Sequence, residues 1–165
     1  GYGTNESGTW GIPGPRYRRD YATVIERVRR ALPGAAILLA APMDRGVRSE
    51  TGDVVTMPTI PRIVEAQRQA ARENGVAFFD TFAAMGGEGT MARWYESEPR
   101  LVTGDFTHTT FAGSARVARL LVGALGRAYE AWKAGKAPHA DPPAPEGAAP
   151  APGPTAAPEG DAPRP

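Results

Sequence analysis

Residues 101–113 read LVTGDFTHTTFAG, and this short run joins a carboxylate, an imidazole, a helix cap and a helix start. Asp105 and His108 stand three apart among Gly104, Thr107, Thr109 and Thr110, a setting that favours a loop over the middle of a helix. In a tight loop that gap lets the carboxylate fold back onto one ring nitrogen. The tautomer is then fixed and the other nitrogen is left as a base. The plain alternative makes Asp105 a turn former and His108 a surface residue. Downstream, Phe111, Ala115, Ala118, Val122, Leu125, Tyr129 and Trp132 recur at helical spacing, flanked by Val117 and Leu121. Residues 110–132 are therefore predicted to be a helix, capped by Thr109 or Thr110, that packs the imidazole-bearing loop against a sheet.

Upstream of the run, strands and helices alternate. Residues 16–32 carry Tyr21, Val24, Ile25, Val28 and Leu32 on one helical stripe, stopped by Pro33 and Gly34. Residues 35–41, AAILLAA, form a continuous apolar run, as expected of a parallel strand covered on both faces. Its carboxyl end opens into Pro42, Met43, Asp44 and Arg45, at the sheet edge where ligands bind in open α/β folds. Met43, Asp44 and Arg45 are pocket candidates there, with an Asp44–Arg45 ion pair as the plain alternative.

Residues 46–57 are polar and irregular, a lid or a surface excursion. A helix is predicted from Pro58 or Thr59 to Asn74 and Gly75, with Ile60, Ile63, Val64, Gln67, Ala70 and Ala71 inward. VAFF at 76–79 is the next strand, and Asp80 caps the short helical segment after it. A break at Gly86 and Gly87 precedes another turn carrying Trp94, which with Met85 and Leu101 can wall an acyl pocket or lie in the core.

Composition narrows the function classes. With 19 basic against 18 acidic side chains in 165 residues, nothing argues for a nucleic-acid partner. Cysteine is absent, which excludes disulfides and thiolate metal sites. No apolar run reaches the roughly 20 residues of a membrane span. From residue 134 onward the chain is rich in Pro, Ala and Gly and poor in large apolar side chains, so residues 134–165 are expected to be a disordered tail behind a domain at 1–133.

The amino-terminal run Gly1-Tyr2-Gly3-Thr4-Asn5-Glu6-Ser7 completes the pattern. Gly3-Thr4-Asn5 followed far downstream by Asp105-Phe106-Thr107-His108 resembles the SGNH or GDSL hydrolases, which carry a G-x-N block after their third strand and a D-x-x-H block before their last helix. The resemblance implies a three-layer α/β/α, flavodoxin-like parallel sheet and a serine esterase. It implies that His108 is the base and Asp105 its orienting partner. Gly3 and Asn5 would belong to the oxyanion hole, where an amide N–H donates to the developing charge without adding one of its own. Thr4, Met43 and Trp94 would border the substrate, Glu6 would hold the loop, and no cofactor or metal is implied.

The family's Gly-Asp-Ser nucleophile block is missing, because Ser7, Ser49, Ser97 and Ser114 all lack a preceding Gly-Asp. The chain accordingly reads as a fragment, its amino-terminal strands missing, with residues 1–3 as the end of a buried strand and 4–15 as the loop behind it. Similarity to the O-acetylesterase branch implies a small acyl ester or O-acetylated glycan substrate and a place in the periplasm or outside the cell. A general lipase or arylesterase, and a non-catalytic remnant or binding module, are the alternatives.

Overall fold

The structure, a computed structural model, describes residues 3–8 and 14–136. Of the strand expected at residues 1–3, Gly3 is described and lies in a bend, not a strand; residues 1–2, part of the loop at 4–15 and the tail beyond residue 136 lie outside the described residues. Five helices and four short strands are formed among them: α1 Pro15–Ala31, β1 Leu38–Ala40, β2 Gly46–Arg48, β3 Val54–Thr56, α2 Thr59–Glu73, β4 Ala77–Phe79, α3 Thr81–Met85, α4 Thr90–Glu96 and α5 Phe111–Lys133. A single 3-10 turn, Glu6–Gly8, precedes them.

The helices begin and end where local chemistry requires. Pro15 opens α1 at a position whose N–H would have no helical partner. Asp80 starts α3, its carboxylate accepting the Ala83 N–H at 2.8 Å while also pairing with Arg68. The inward face of α2 is as expected, with Ile60, Ile63, Val64, Gln67, Ala70 and Ala71 buried and Ala66 added to them. Gln67 donates from Nε2 to the Tyr17 and Tyr21 hydroxyls at 3.0 and 2.8 Å, which ties α2 to α1 through polar contacts as well as packing.

β1 and β4 pair in parallel, Leu38 opposite Ala77 and Ala40 opposite Phe79, with α2 as the crossover between them. This parallel α/β arrangement is the predicted fold class. β1 departs from the expectation of a strand covered on both faces. Leu38 is exposed and Leu39 and Ala40 half-buried, and among the described residues β1 is paired on one side only. Residues 46–57 also differ from the expected irregular excursion. They form an antiparallel hairpin, Gly46 opposite Thr56 and Arg48 opposite Val54. The β-branched Val47, Val54, Val55 and Thr56 carry that preference beneath the polar residues between them.

The largest correction concerns α5. Its predicted inward stripe faces solvent: Phe111 is 92% exposed, and Val122, Leu125, Tyr129 and Trp132 are exposed as well. The packed side is Gly113, Val117 and Leu120 together with Ala112. At 3.6 residues per turn, the step of two from Phe111 to Gly113 is about 200°, so the packed face lies nearly opposite the apolar one. The reason is a backbone contact at Gly113, described below. Two buried clusters support the molecule: Ala41, Ile60, Val64 and Phe82 beside the parallel pair, and Met85, Met91, Trp94, Leu101, Val102 and Phe106 beneath the 101–110 segment.

Candidate active site

The Asp105/His108 loop closes on itself. Val102 and Thr109 form an antiparallel bridge, the Thr103 N–H donates to the His108 carbonyl at 2.8 Å, and the Phe106 N–H donates to the Thr103 carbonyl at 3.1 Å. Inside this ring Asp105 Oδ1 accepts from the Thr107 and His108 N–H groups at 2.9 and 3.0 Å and from Thr103 Oγ1 at 2.7 Å. Asp105 Oδ2 meets His108 Nδ1 at 2.6 Å.

The His108 backbone N–H above all, then its ring, Thr103 and Thr107, hold the Asp105 carboxyl well below the usual carboxylate range. An ionised carboxylate only accepts, so the proton of a neutral His108 resides on Nδ1 and Nε2 presents a lone pair. Nε2 has no hydrogen-bond partner among the described residues, and the His108 side chain is 75% exposed. A solvent-facing base with a fixed tautomer results.

Two anchors hold this loop on the body of the protein. At Gly113 an added Cβ would lie 1.9 Å from the Leu101 carbonyl oxygen, so the first turn of α5 can approach the 101–110 segment only without a side chain there. Thr110 caps the helix at the same place, accepting the Gly113 N–H at 3.2 Å. The second anchor is Phe106. Its φ of +53° is uncommon for a residue with a side chain. The ring is buried and packs edge-on against Tyr95 at 4.9 Å, and its carbonyl accepts the Gly46 N–H at 2.8 Å.

Gly3, Thr4 and Asn5 lie in a compact turn next to the carboxyl end of β1. Gly3 has a φ of +128°, and a Cβ there would stand 3.0 Å from Pro42 and 3.1 Å from both Ile63 and Gln67. Glu6 accepts the Gly3 N–H at 2.8 Å, and the Ser7 N–H donates to the Gly3 carbonyl at 3.0 Å. Asn5 is exposed, and its side-chain amide makes no hydrogen bond among the described residues.

The two loops are linked through consecutive residues. Arg45 Nη1 donates to the Thr4 carbonyl at 3.1 Å and to Ser7 Oγ at 2.9 Å, while Gly46 donates to Phe106. Asp44 does not pair with the Arg45 guanidinium. Its buried carboxylate accepts the Arg45 and Met91 N–H groups, each at 2.9 Å, and the Thr56 hydroxyl at 2.8 Å, fastening the hairpin to α4. Burial pushes the Asp44 carboxyl above its ordinary value, against the pull of these donors.

Residues 1–116 match the GDSL-like Lipase/Acylhydrolase family. The chain belongs to that family. Among solved structures, this GDSL-like chain is similar to a peptidoglycan O-acetylesterase, at 26% identity and a TM-score of 0.66, over 76% of its own length and 35% of that chain. It thus spans about a third of that protein. The esterase domain of the ORF1 protein from the zebrafish ZfL2-1 retrotransposon is a more distant likeness, 20% identical with a TM-score of 0.46 over 76% of this chain and 66% of that one. No curated protein matches the chain.

The remaining candidate residues separate into half-buried and core positions. Thr4 and Met43 are half-buried, Met43 against the cluster beneath the histidine loop. Trp94 is 6% exposed within that cluster, with Arg116 over its ring, so it supports the loop from below. Sequence reasoning placed no weight on Gly46, Phe106 or Gly113. The signal for Gly113 was a glycine one turn inside a strong helix, where alanine is the ordinary choice. No helix among the described residues is long and apolar enough to cross a membrane, and they contain no group of three or more His, Cys, Asp or Glu residues able to hold a metal.

Proposed function

We propose that this chain carries the acid-base and oxyanion half of a serine ester hydrolase acting on O-acetyl esters of a cell-wall or related polysaccharide, outside the cytoplasm. The observation that carries the reading is the 2.6 Å Asp105–His108 contact with the opposite ring nitrogen free. The family supports an acyl-ester substrate, and the similarity to a peptidoglycan O-acetylesterase supports the O-acetyl glycan class.

In this reading a serine hydroxyl attacks the acetyl carbonyl carbon, and His108 Nε2 takes its proton. Asn5 stabilises the oxyanion while Asp105 holds the imidazolium; Gly3, expected beside it, is not a donor here, because Glu6 already takes its N–H. His108 then returns the proton to the departing sugar oxygen, and water attacking the acyl-enzyme by the same route releases acetate. Thr4 and Met43 border the acetyl group.

In this reading the attacking serine is none of the four in these 165 residues, since none follows a Gly-Asp and none is hydrogen-bonded to His108. Their hydroxyls have other partners: Ser7 has Thr4 and Arg45, Ser49 has Thr51, Ser97 has Trp94 and Pro99, and Ser114 has Thr109. The 165-residue chain alone should hydrolyse p-nitrophenyl acetate no faster than its His108→Ala variant, whereas the full-length protein should lose turnover on that substitution. Turnover by the chain alone that disappears with His108→Ala would place the nucleophile within it; full activity of His108→Ala in the full-length protein would end the triad reading.

A further inference from the structure

We propose that Arg45 is a positioning residue that sets the oxyanion donor Asn5 relative to the His108 loop, an inference that rests on the hydrolase reading above. The turn bearing Asn5 is short, and the Asn5 amide itself has no partner among the described residues. Its placement depends on how the residues on either side are held. Arg45 Nη1 takes both the Thr4 carbonyl and Ser7 Oγ, one residue before Asn5 and two after it. Ser7 Oγ completes the ring by donating to the Thr4 carbonyl at 2.6 Å. Both oxygens are met by the single Nη1, so one nitrogen at the end of the Arg45 side chain fixes the two sides of the turn relative to each other.

Arg45 is itself fixed at its backbone. Its N–H donates to Asp44 Oδ1, its carbonyl accepts the Met57 N–H at 2.7 Å, and Gly46 next to it donates to the Phe106 carbonyl. The same dipeptide therefore touches the Asn5 turn with a side chain and the Asp105/His108 loop with its backbone. A shift of about 1 Å between oxyanion donor and base is enough to cost about a hundredfold in rate, so a rigid connection between them has catalytic value.

The test has two arms. In the full-length protein, Arg45→Ala should lower kcat on p-nitrophenyl acetate by about 10²-fold with little change in KM, as Asn5→Ala should, each removing the use of one oxyanion donor. Adding Arg45→Ala to Asn5→Ala should then cost nothing further, and Arg45→Lys should recover part of the loss. In the 165-residue chain, hydrogen exchange at the Ser7 and Gly8 amides should accelerate in Arg45→Ala while the α2 amides keep their protection.

A full additional loss from Arg45→Ala in the Asn5→Ala background overturns the proposal, because the arginine would then act on the reaction directly. Unchanged exchange at Ser7 and Gly8 overturns it also. If instead His108→Ala leaves the full-length enzyme active, it is the hydrolase reading that fails, and the exchange arm still decides what Arg45 holds.

Discussion

Asp105 meets four groups on residues 103–108, and the direction of its ionisation follows from them. Its folded-state affinity for a proton is lowered, so its contribution to the loop is complete above the ordinary carboxylate value of about 4 and fades as pH falls below it. The Thr107 and His108 backbone amide resonances should keep their loop environment down to about pH 4 and move toward those of a flexible segment only beneath that. Asp105→Asn tests the same contact at neutral pH. An amide can donate to Nδ1 and so stabilise the opposite tautomer, which should lower kcat of the full-length enzyme by up to about 10⁴-fold. A loss of less than tenfold would show that the tautomer is fixed by something else. Both halves of this pair were legible in the sequence, because a spacing of three in a Thr-rich loop is a local pattern. The role of Phe106 between them was not, since nothing in its neighbours announces a positive φ or a hydrogen bond to Gly46.

The elements follow the same division between local and distant causes. Proline, glycine and aspartate marked the ends of α1, α2 and α3 well, and the apolar run at 76–79 marked β4, because capping and strand preference act within a few residues. The direction in which α5 faces was misread because it is set by one backbone approach from Leu101 and not by the helix's own periodicity. Paired glycine substitutions separate the two causes. Gly126 has nothing within 4 Å of a would-be Cβ, so Gly126→Ala should stabilise by about 1 kcal/mol through helix propensity. Gly113→Ala should do the reverse and destabilise by about 2 kcal/mol or more, since the methyl group would overlap the Leu101 carbonyl. Urea unfolding of the two variants gives the comparison; equal midpoints would remove Gly113 as the anchor of α5.

For the molecule as a whole, the notable surface is apolar. Val24 and Val28 on α1, Leu32 just after it, Leu38 on β1 and the Phe111, Val122, Leu125, Tyr129 and Trp132 stripe on α5 are all exposed. The α5 stripe alone is a run of exposed apolar side chains along one helix face, and such faces commonly associate or bind hydrophobic dyes. The 165-residue chain should therefore bind such a dye at neutral pH and sediment heavier than a monomer. Replacing Val122, Leu125 and Trp132 together by glutamine should reduce both effects while the far-UV spectrum keeps its helical signal. A monodisperse, dye-free wild-type chain would contradict this. The periodicity of these residues was plain in the sequence; what they cover was not, because a stripe states that a helix wants a partner and says nothing of which partner is in reach.

The ring of hydrogen bonds around Asp105 has a consequence for how the loop responds to substitution. Every donor to that carboxylate lies within the same short loop, so the Asp105–His108 pair is held as a unit by its own segment. What substitutions elsewhere can alter is where the unit sits, through the Gly46–Phe106 and Gly113–Leu101 contacts. The Asp105–His108 contact can thus stay constant while its position shifts relative to a neighbouring surface. A substitution at either contact would re-seat the loop without taking it apart.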